Sequence, residues 1–330
     1  PVIKNGLGTL SRHPDHPIST DFFWMTLPPF AMAVYLYGAR VAALCLVAVV
    51  TANLCDRIVA LLRGLPYDKT ENSSLPIAMI LTLLFPASIS YYVVVVAVAS
   101  AVLIGKAAFG GYGVYPFNPS ALGFAIAAVS WPDQVFRYPT PFTNLTVFST
   151  ENATLVDGAA HTLRAGGVPN INLFDLVLGN YAGSMGATAA LVLVACAMYL
   201  WVRKRITLAA PLGFLITCAA ISYLFPRLGD IGLSAPWTHV RLRLLVTLYE
   251  MLSGAVLFAA VFLVNDPVTM PKSETARLVY GIILGVVTML FRYYGTYDLS
   301  VCFAVLCVNI LSGWLDRVFS RRVVREEVRP

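Results

Sequence analysis

The chain has 330 residues, 58% of them apolar and only 12% charged, with a mean hydropathy of +0.75 and a formal net charge of +6. Soluble domains carry about 25% charged residues, so the composition excludes an ordinary soluble enzyme and makes the bilayer the solvent for most of the chain. The positive balance needs no nucleic-acid partner, because it follows from membrane topology and a basic tail suited to anionic lipid.

Taken in chain order, the polar stretch Ser11-Arg12-His13-Pro14-Asp15-His16 precedes the first apolar window, which argues against a cleavable signal peptide. Ten windows are apolar enough to be read as spans: roughly 20–37, 38–55, 74–89, 90–108, 118–132, 184–202, 207–225, 244–264, 277–293 and 297–315. The predicted fold class is therefore an all-α polytopic membrane protein. Its expected parts are an N-terminal cytoplasmic segment (1–19), a five-helix half (20–132), an extracytoplasmic loop (133–183), a second five-helix half (184–316) and a basic tail (317–330). With both termini inside, 16 of the 23 Lys and Arg residues fall on the cytoplasmic side, and the long loop holds only Arg137 and Arg164.

Between the fourth and fifth windows lies the loop Phe109-Gly110-Gly111-Tyr112-Gly113-Val114-Tyr115-Pro116-Phe117-Asn118-Pro119. Its pattern Tyr112-Gly113-Val114-Tyr115, then Ser120 and Phe124-Ala125, recurs as Tyr294-Gly295-Thr296-Tyr297, then Ser300 and Phe303-Ala304. Five windows per half is an odd number, so the halves are expected to be inverted relative to each other, with a site at their interface.

Ionisable groups at membrane depth are costly and point to function. Asp56, Glu250, Asp266 and Asp316 qualify as candidate cation-path acids. Arg241 and Arg243 lie two turns before Glu250 and are possible structural partners for it. Asp266 sits in Asn265-Asp266-Pro267-Val268-Thr269-Met270-Pro271, where two prolines break the helix and leave free carbonyls beside a carboxylate. The six cysteines fall in or beside apolar windows without a CxxC pair, so they read as buried apolar side chains rather than cluster ligands. The four histidines have no metal-ligand spacing. The tripeptides Asn144-Leu145-Thr146 and Asn152-Ala153-Thr154 fit the glycosylation pattern only weakly.

Four stretches in order carry a family resemblance: Phe109 to Pro119; Gly179-Asn180-Tyr181-Ala182-Gly183-Ser184-Met185-Gly186; Leu252-Ser253-Gly254; and Asn265 to Pro271 followed by Arg277-Leu278-Val279-Tyr280-Gly281. They resemble the D subunits of Rnf electron-transport complexes and the homologous B subunits of Na⁺-translocating NADH:quinone oxidoreductases. The likeness runs from about Ser11 to Asp316. Without the long N-terminal extension of the quinone-reductase subunits, the chain looks more like the Rnf member.

The resemblance implies two inverted five-helix repeats similar to the urea-channel fold, in a bacterial or archaeal cytoplasmic membrane. It also implies a translocase component that is not catalytic alone. The expected partners are the A, B, C, E and G subunits of an Rnf-type complex. The protein would hold FMN or riboflavin and couple ferredoxin–NAD⁺ electron transfer to Na⁺ or H⁺ movement. The matched flavin-binding positions are Gly110, Gly111, Asn118 and Pro119, with Ser184, Gly186 and Thr188 in the later stretch.

The covalent flavin motif departs from the family. In the segment Asp157-Gly158-Ala159-Ala160-His161-Thr162, Ala160 stands where the family has the FMN-bearing threonine, and alanine has no hydroxyl to form the ester. Thr162 and Thr188 are the nearby alternatives. The third window also lacks the family's Thr-Gly pair and asparagine, reading Ile77-Ala78 and Leu84 instead. A structural component without flavin and a urea-channel-like transporter are the competing functions.

Overall fold

A computed structural model describes residues 16–64, 73–143, 145–150, 153–227, 235 and 237–327. The first fifteen residues, Asn144 and Asn152 of the two tripeptides, and the last three residues of the tail lie outside the described residues. The described residues are mostly helical, and the two-stranded antiparallel pair β1 (Arg137–Pro139) and β2 (Leu155–Asp157) is the sheet among them.

In order, α1 (His16–Tyr37) and α2 (Ala39–Leu62) are followed by the short α3 (Ser74–Leu83). Helix α4 (Tyr91–Ser100) runs on through a π-helical stretch, Ala101–Lys106, and one 3₁₀ turn, Ala107–Phe109. Helix α5 (Pro119–Ser130) starts sharply because Asn118 caps it, its side-chain oxygen accepting from Ala121 N–H at 3.1 Å, while Pro119 fills the first turn, where no N–H is needed. The loop 131–189 carries α6 (Pro132–Val135), the β pair, α7 (Ala159–Arg164) and α8 (Leu173–Leu178). Then come α9 (Ala190–Val202), α10 (Ala209–Leu224), α11 (Val240–Leu252), α12 (Val256–Phe258) with its π continuation Ala259–Leu263, α13 (Glu274–Tyr294) and α14 (Ser300–Glu327).

Among the described residues, four helical runs are long and apolar enough to cross a membrane: Ala39–Leu62, Tyr91–Phe109, Glu274–Tyr294 and Ser300–Phe319. A fifth is the pair Val240–Leu252 and Val256–Leu263, bent by 57° at Ser253-Gly254-Ala255. The bend has a backbone cause, since Gly254 and Ala255 adopt φ of +65° and +61°. Of the five remaining windows, 20–37 lies within the 22-residue α1, and the other four differ from expectation in length. Helices α3, α5, α9 and α10 have 10 to 16 residues, or about 15–24 Å at 1.5 Å per residue, short of the ~30 Å hydrocarbon core.

The expected windows 74–89 and 184–202 are each part helix and part irregular chain, and the irregular parts satisfy one another. Met185 N–H donates to the Phe85 carbonyl at 2.9 Å and Gly186 N–H to the Leu83 carbonyl at 2.8 Å. Buried Arg40 donates to the carbonyls of Ala87 and Ile89, both at 2.9 Å, and lies over the Tyr91 ring. Non-helical backbone survives at such depth only when protein supplies its hydrogen bonds.

The connections gather at two ends. One joins the turns after α2, α4, α9 and α12, as contacts among Asp56, Ser74 and Lys106, between Asn118 and Asp266, and between Arg205 and Asp21 show. The other joins the turns after α1, α3, α11 and α13 with the loop 131–189, through Tyr37 to the Gly183 carbonyl, Arg164 to the Gly295 carbonyl and stacking of Phe136 on Tyr297. The two Tyr-Gly-X-Tyr motifs lie at opposite ends. Five cysteines are buried as expected, but Cys307 is exposed: on α14 it faces outward with the exposed apolar side chains Ile310 and Trp314.

Candidate functional site

At the first end, Asp56 near the end of α2 accepts from Ser74 Oγ at 3.0 Å and pairs with Lys106 Nζ at 3.3 Å, while Lys106 also donates to Ser74 Oγ at 2.9 Å. The π-helical stretch places Lys106 there, with its side chain only 5% exposed. Extra backbone in such a bulge rotates the following residues about the helix axis. Gly110 and Gly111, with φ of +118° and +117°, then turn the chain away, and Arg63 donates to the carbonyls of Gly110 and Ala107.

Beside this group, Asp266 occupies the loop between Leu263 and Glu274. It is 8% exposed and accepts from Thr269 Oγ1 at 3.0 Å, Val268 N–H at 3.3 Å, and Tyr115 Oη and Asn118 Nδ2, both at 3.4 Å. All of these donors are neutral. Burial raises its carboxyl to about 6 against the pull of the hydrogen bonds from Thr269, Val268 and Tyr115. Asn118 is thus bound on both sides, capping α5 and reaching Asp266 and the Leu263 carbonyl. From α14, Asn309, with its amide oxygen turned to Asn118, accepts the Asn118 N–H at 2.9 Å, and its nitrogen faces Tyr280 Oη at 2.6 Å. A cavity of about 50 Å³ opens here, lined by Ser19, Ser73, Tyr112, Tyr115, Asn118, Pro119, Ser120, Asp266 and apolar neighbours. It has room for a few waters or a small, partly hydrated cation.

Asp316 sits apart on α14, half-buried, and accepts the Lys272 N–H at 2.8 Å, which ties that helix to the end of the Asp266 loop. Glu250 lies at the opposite end. Its partner is neither of the expected arginines: it forms an ion pair with Arg292 of α13, both side chains 4% exposed. Arg243 instead donates to the carbonyls of Tyr223, Leu224 and Thr238. Arg292 also donates to Ser253 Oγ at 2.8 Å and to the Ser253 carbonyl at 3.3 Å, clamping the bend of the α11–α12 pair.

Around that bend a second cavity, of about 20 Å³, is lined by Tyr138, Gly158, Ala160, Tyr181, Gly183, Ser184, Thr188, Ser253, Gly254 and Asp298, among others. Segments far apart in sequence therefore converge, with Ala160 in the same wall as Ser184 and Thr188. Thr188 Oγ1 is buried and has no hydrogen-bond partner among the described residues. Thr162 is not part of this wall, since its methyl and carbonyl face Gly167. Gly186 points elsewhere, and a Cβ on it would stand 2.6 Å from the Leu83 side chain, so close packing accounts for it. The cavity holds one water at most. A covalent FMN at position 160 does not fit these residues, because Ala160 offers no oxygen.

The structure thus brings Asn118 and Pro119 together with Asp266 in one cavity wall, whereas Gly110 and Gly111 turn the chain beside Lys106 and Arg63, on the side of Asp56. Ser184, Thr188 and Glu250 belong to the other end. Sequence reasoning missed Lys106, Arg292 and Asn309 as site residues. The signal for the two cations was present, since the cost of burial that singled out the acids applies equally to bases inside apolar windows.

The profile of the NQR2, RnfD, RnfE family matches residues 14–325. A relative from Pseudomonas paraeruginosa, named as the D subunit of an ion-translocating oxidoreductase complex, is 30% identical over 307 residues, covering 88% of this chain and 86% of that protein. The protein of the same name from Alcanivorax borkumensis is 27% identical over 334 residues, covering 96% and 92%. That of Escherichia coli strain SE11 is 29% identical over 332 residues, covering 90% of each.

Proposed function

The chain belongs to the NQR2, RnfD, RnfE family, and from that premise we propose that it is the D subunit of an Rnf-type ion-translocating ferredoxin:NAD⁺ oxidoreductase, with Asp266 as a station for the transported cation. It is a multi-pass membrane protein whose relatives bear the name of one component of an ion-translocating oxidoreductase complex. Ten spans in two inverted repeats, with both termini cytoplasmic, and assembly with the A, B, C, E and G subunits belong to the same reading.

One observation carries the assignment of Asp266. Of the four acids singled out in the sequence, it alone combines burial with donors that are all neutral. Asp56 is matched by Lys106, Glu250 by Arg292, and Asp316 by a backbone N–H at the partly exposed end of α14. A carboxylate already holding a fixed cation has little charge left for a mobile one, whereas Asp266 faces no fixed cation and borders a cavity whose wall carries the hydroxyls of Ser73, Tyr115 and Ser120 and the Asn118 amide. Its carboxyl, raised to about 6 by burial, suits exchange of either H⁺ or Na⁺ near neutral pH. Asn118, Thr269 and Tyr115 orient it, and Asp56 and Asp316 flank the route.

The complex's redox chemistry would come from flavin, FMN or riboflavin, held without an ester at 160. When bound, flavin supplies one- and two-electron transfer, and the protein supplies orientation and electrostatics. Ala160 and the tightness of the second cavity favour a second reading, in which the chain keeps its cation path and carries no flavin. Both readings meet one experiment: the assembled complex in proteoliposomes, with redox turnover and ion uptake measured together and flavin assayed after denaturation. Asp266→Asn is expected to abolish the dependence of turnover on the transported cation while the complex still assembles. Unchanged ion uptake per electron would overturn the assignment, and flavin in the wild-type chain would exclude the second reading.

A further inference from the structure

A larger cavity lies outside both clusters. About 290 Å³ of space separates α9, α10 and the segment Leu257–Val261, walled by Leu193, Met198, Trp201, Leu212, Leu215 and their apolar neighbours. It opens outward, since Met198 is 61% and Trp201 53% exposed. Along α9 it runs from Leu193 to Trp201, about 12 Å of helix axis at 1.5 Å per residue. A single extended hydrocarbon chain fits it.

The end of the crevice is charged. Trp201 and Ile206, both in its wall, bracket Arg203-Lys204-Arg205. Asp21 pairs with Arg205 and, at 3.8 Å, with Arg203, so one carboxylate is shared by two of the three cations. The Arg203 side chain remains 53% exposed, and Lys204, held at φ +57° in the turn, is exposed as well. Tryptophan at headgroup level and cations just beyond an apolar slot form a lipid-binding arrangement of general type.

We infer that this crevice is a binding site for an anionic phospholipid, one acyl chain lying between α9 and α10 and the phosphate resting on Arg203 and Lys204. The site is independent of Asp266 and of any flavin.

The test uses the assembled complex in nanodiscs containing a few per cent of either phosphatidylglycerol or phosphatidylcholine with brominated acyl chains, which quench tryptophan on contact. The Trp201 contribution is isolated by subtracting Trp201→Phe. Two cations near an anionic headgroup lead to an expected preference for phosphatidylglycerol on the order of 30-fold. Arg203→Gln/Lys204→Gln should remove the preference while leaving weak quenching by both lipids. Ala197→Phe, which fills the crevice without touching the charge, should reduce quenching by both. Equal quenching by the two lipids in the wild type would overturn the inference. So would absence of any Trp201-dependent quenching, which would mean that a neighbouring protein of the complex covers the crevice.

Discussion

Glu250→Gln removes one charge from a pair whose side chains are both 4% exposed. Breaking a buried ion pair from one side leaves the other charge unpaired, and the typical cost is about 3–5 kcal/mol. Arg292 keeps its two bonds to Ser253, so it stays in place as an uncompensated cation. Arg292→Gln strands Glu250 and releases the bend as well. Each single substitution is therefore expected to cost about 3–5 kcal/mol, a fall of on the order of 6–10 °C in Tm at about 2 °C per kcal/mol. The double variant removes both charges and loses mainly the Ser253 bonds, at about 2–3 kcal/mol, far below the sum of the singles. The assay is thermal denaturation of the purified chain in detergent, followed by near-ultraviolet circular dichroism and by monodispersity after heating. A Glu250→Gln variant within about 1 kcal/mol of wild type, or a double variant whose cost equals the sum, would refute the clamp. Gly254→Ala offers a geometric check on the same corner: a Cβ there would stand 2.6 Å from Arg292 Nη1 at φ +65°, so this small substitution should also lower Tm.

Lys106→Met should leave Asp56 with Ser74 alone and destabilise by a smaller amount, about 1–3 kcal/mol, because the Asp56 side chain is 17% exposed and water can reach it; Asp56→Asn/Lys106→Met should recover part of that loss, as thermal melts of the four proteins will show. Asp266 carries a pH dependence of definite sign. Its carboxyl is raised from 3.8 to about 6 in the folded chain, so the folded state binds the proton more tightly than the unfolded one. Its contribution to stability is therefore fully present below about pH 4 and is lost as pH rises through about 6, by on the order of 3 kcal/mol. The difference in Tm between wild type and Asp266→Asn, measured from about pH 4 to about pH 7, should change in that direction; a flat difference would remove the shift. Thr188→Val replaces a buried hydroxyl that has no partner with a methyl of the same shape. It should be neutral or stabilising by up to about 1 kcal/mol in the isolated chain, whereas a marked loss would show that the hydroxyl serves a ligand.

Composition alone determined that this chain lives in a membrane. Hydrocarbon tolerates so few charged groups that 12% charged residues in 330 leave little choice. Proline, glycine and capping chemistry placed several helix ends, as at Asn118-Pro119, because those rules act within a few residues. The candidate acids were legible for the same local reason, each being a charge inside or beside an apolar run. Their partners were not. Nothing in sequence spacing links Glu250 to Arg292, Asp56 to Lys106 or Asn118 to Asp266 and Asn309, since each pair joins segments far apart in the chain and the π-helical stretch ending at Lys106 decides which way that side chain faces. The windows around Pro86 and Ser184 likewise read as whole spans, because hydropathy counts side chains and is blind to backbone hydrogen bonds. Only the packed structure decided that these segments leave the helix and satisfy each other, Met185 to Phe85 and Gly186 to Leu83, with Arg40 closing the remaining carbonyls. Apolarity is a property of each residue, and the sequence carries it directly. Pairing of charges and of stray backbone groups is a property of where the helices cross, and it exists only once they have packed.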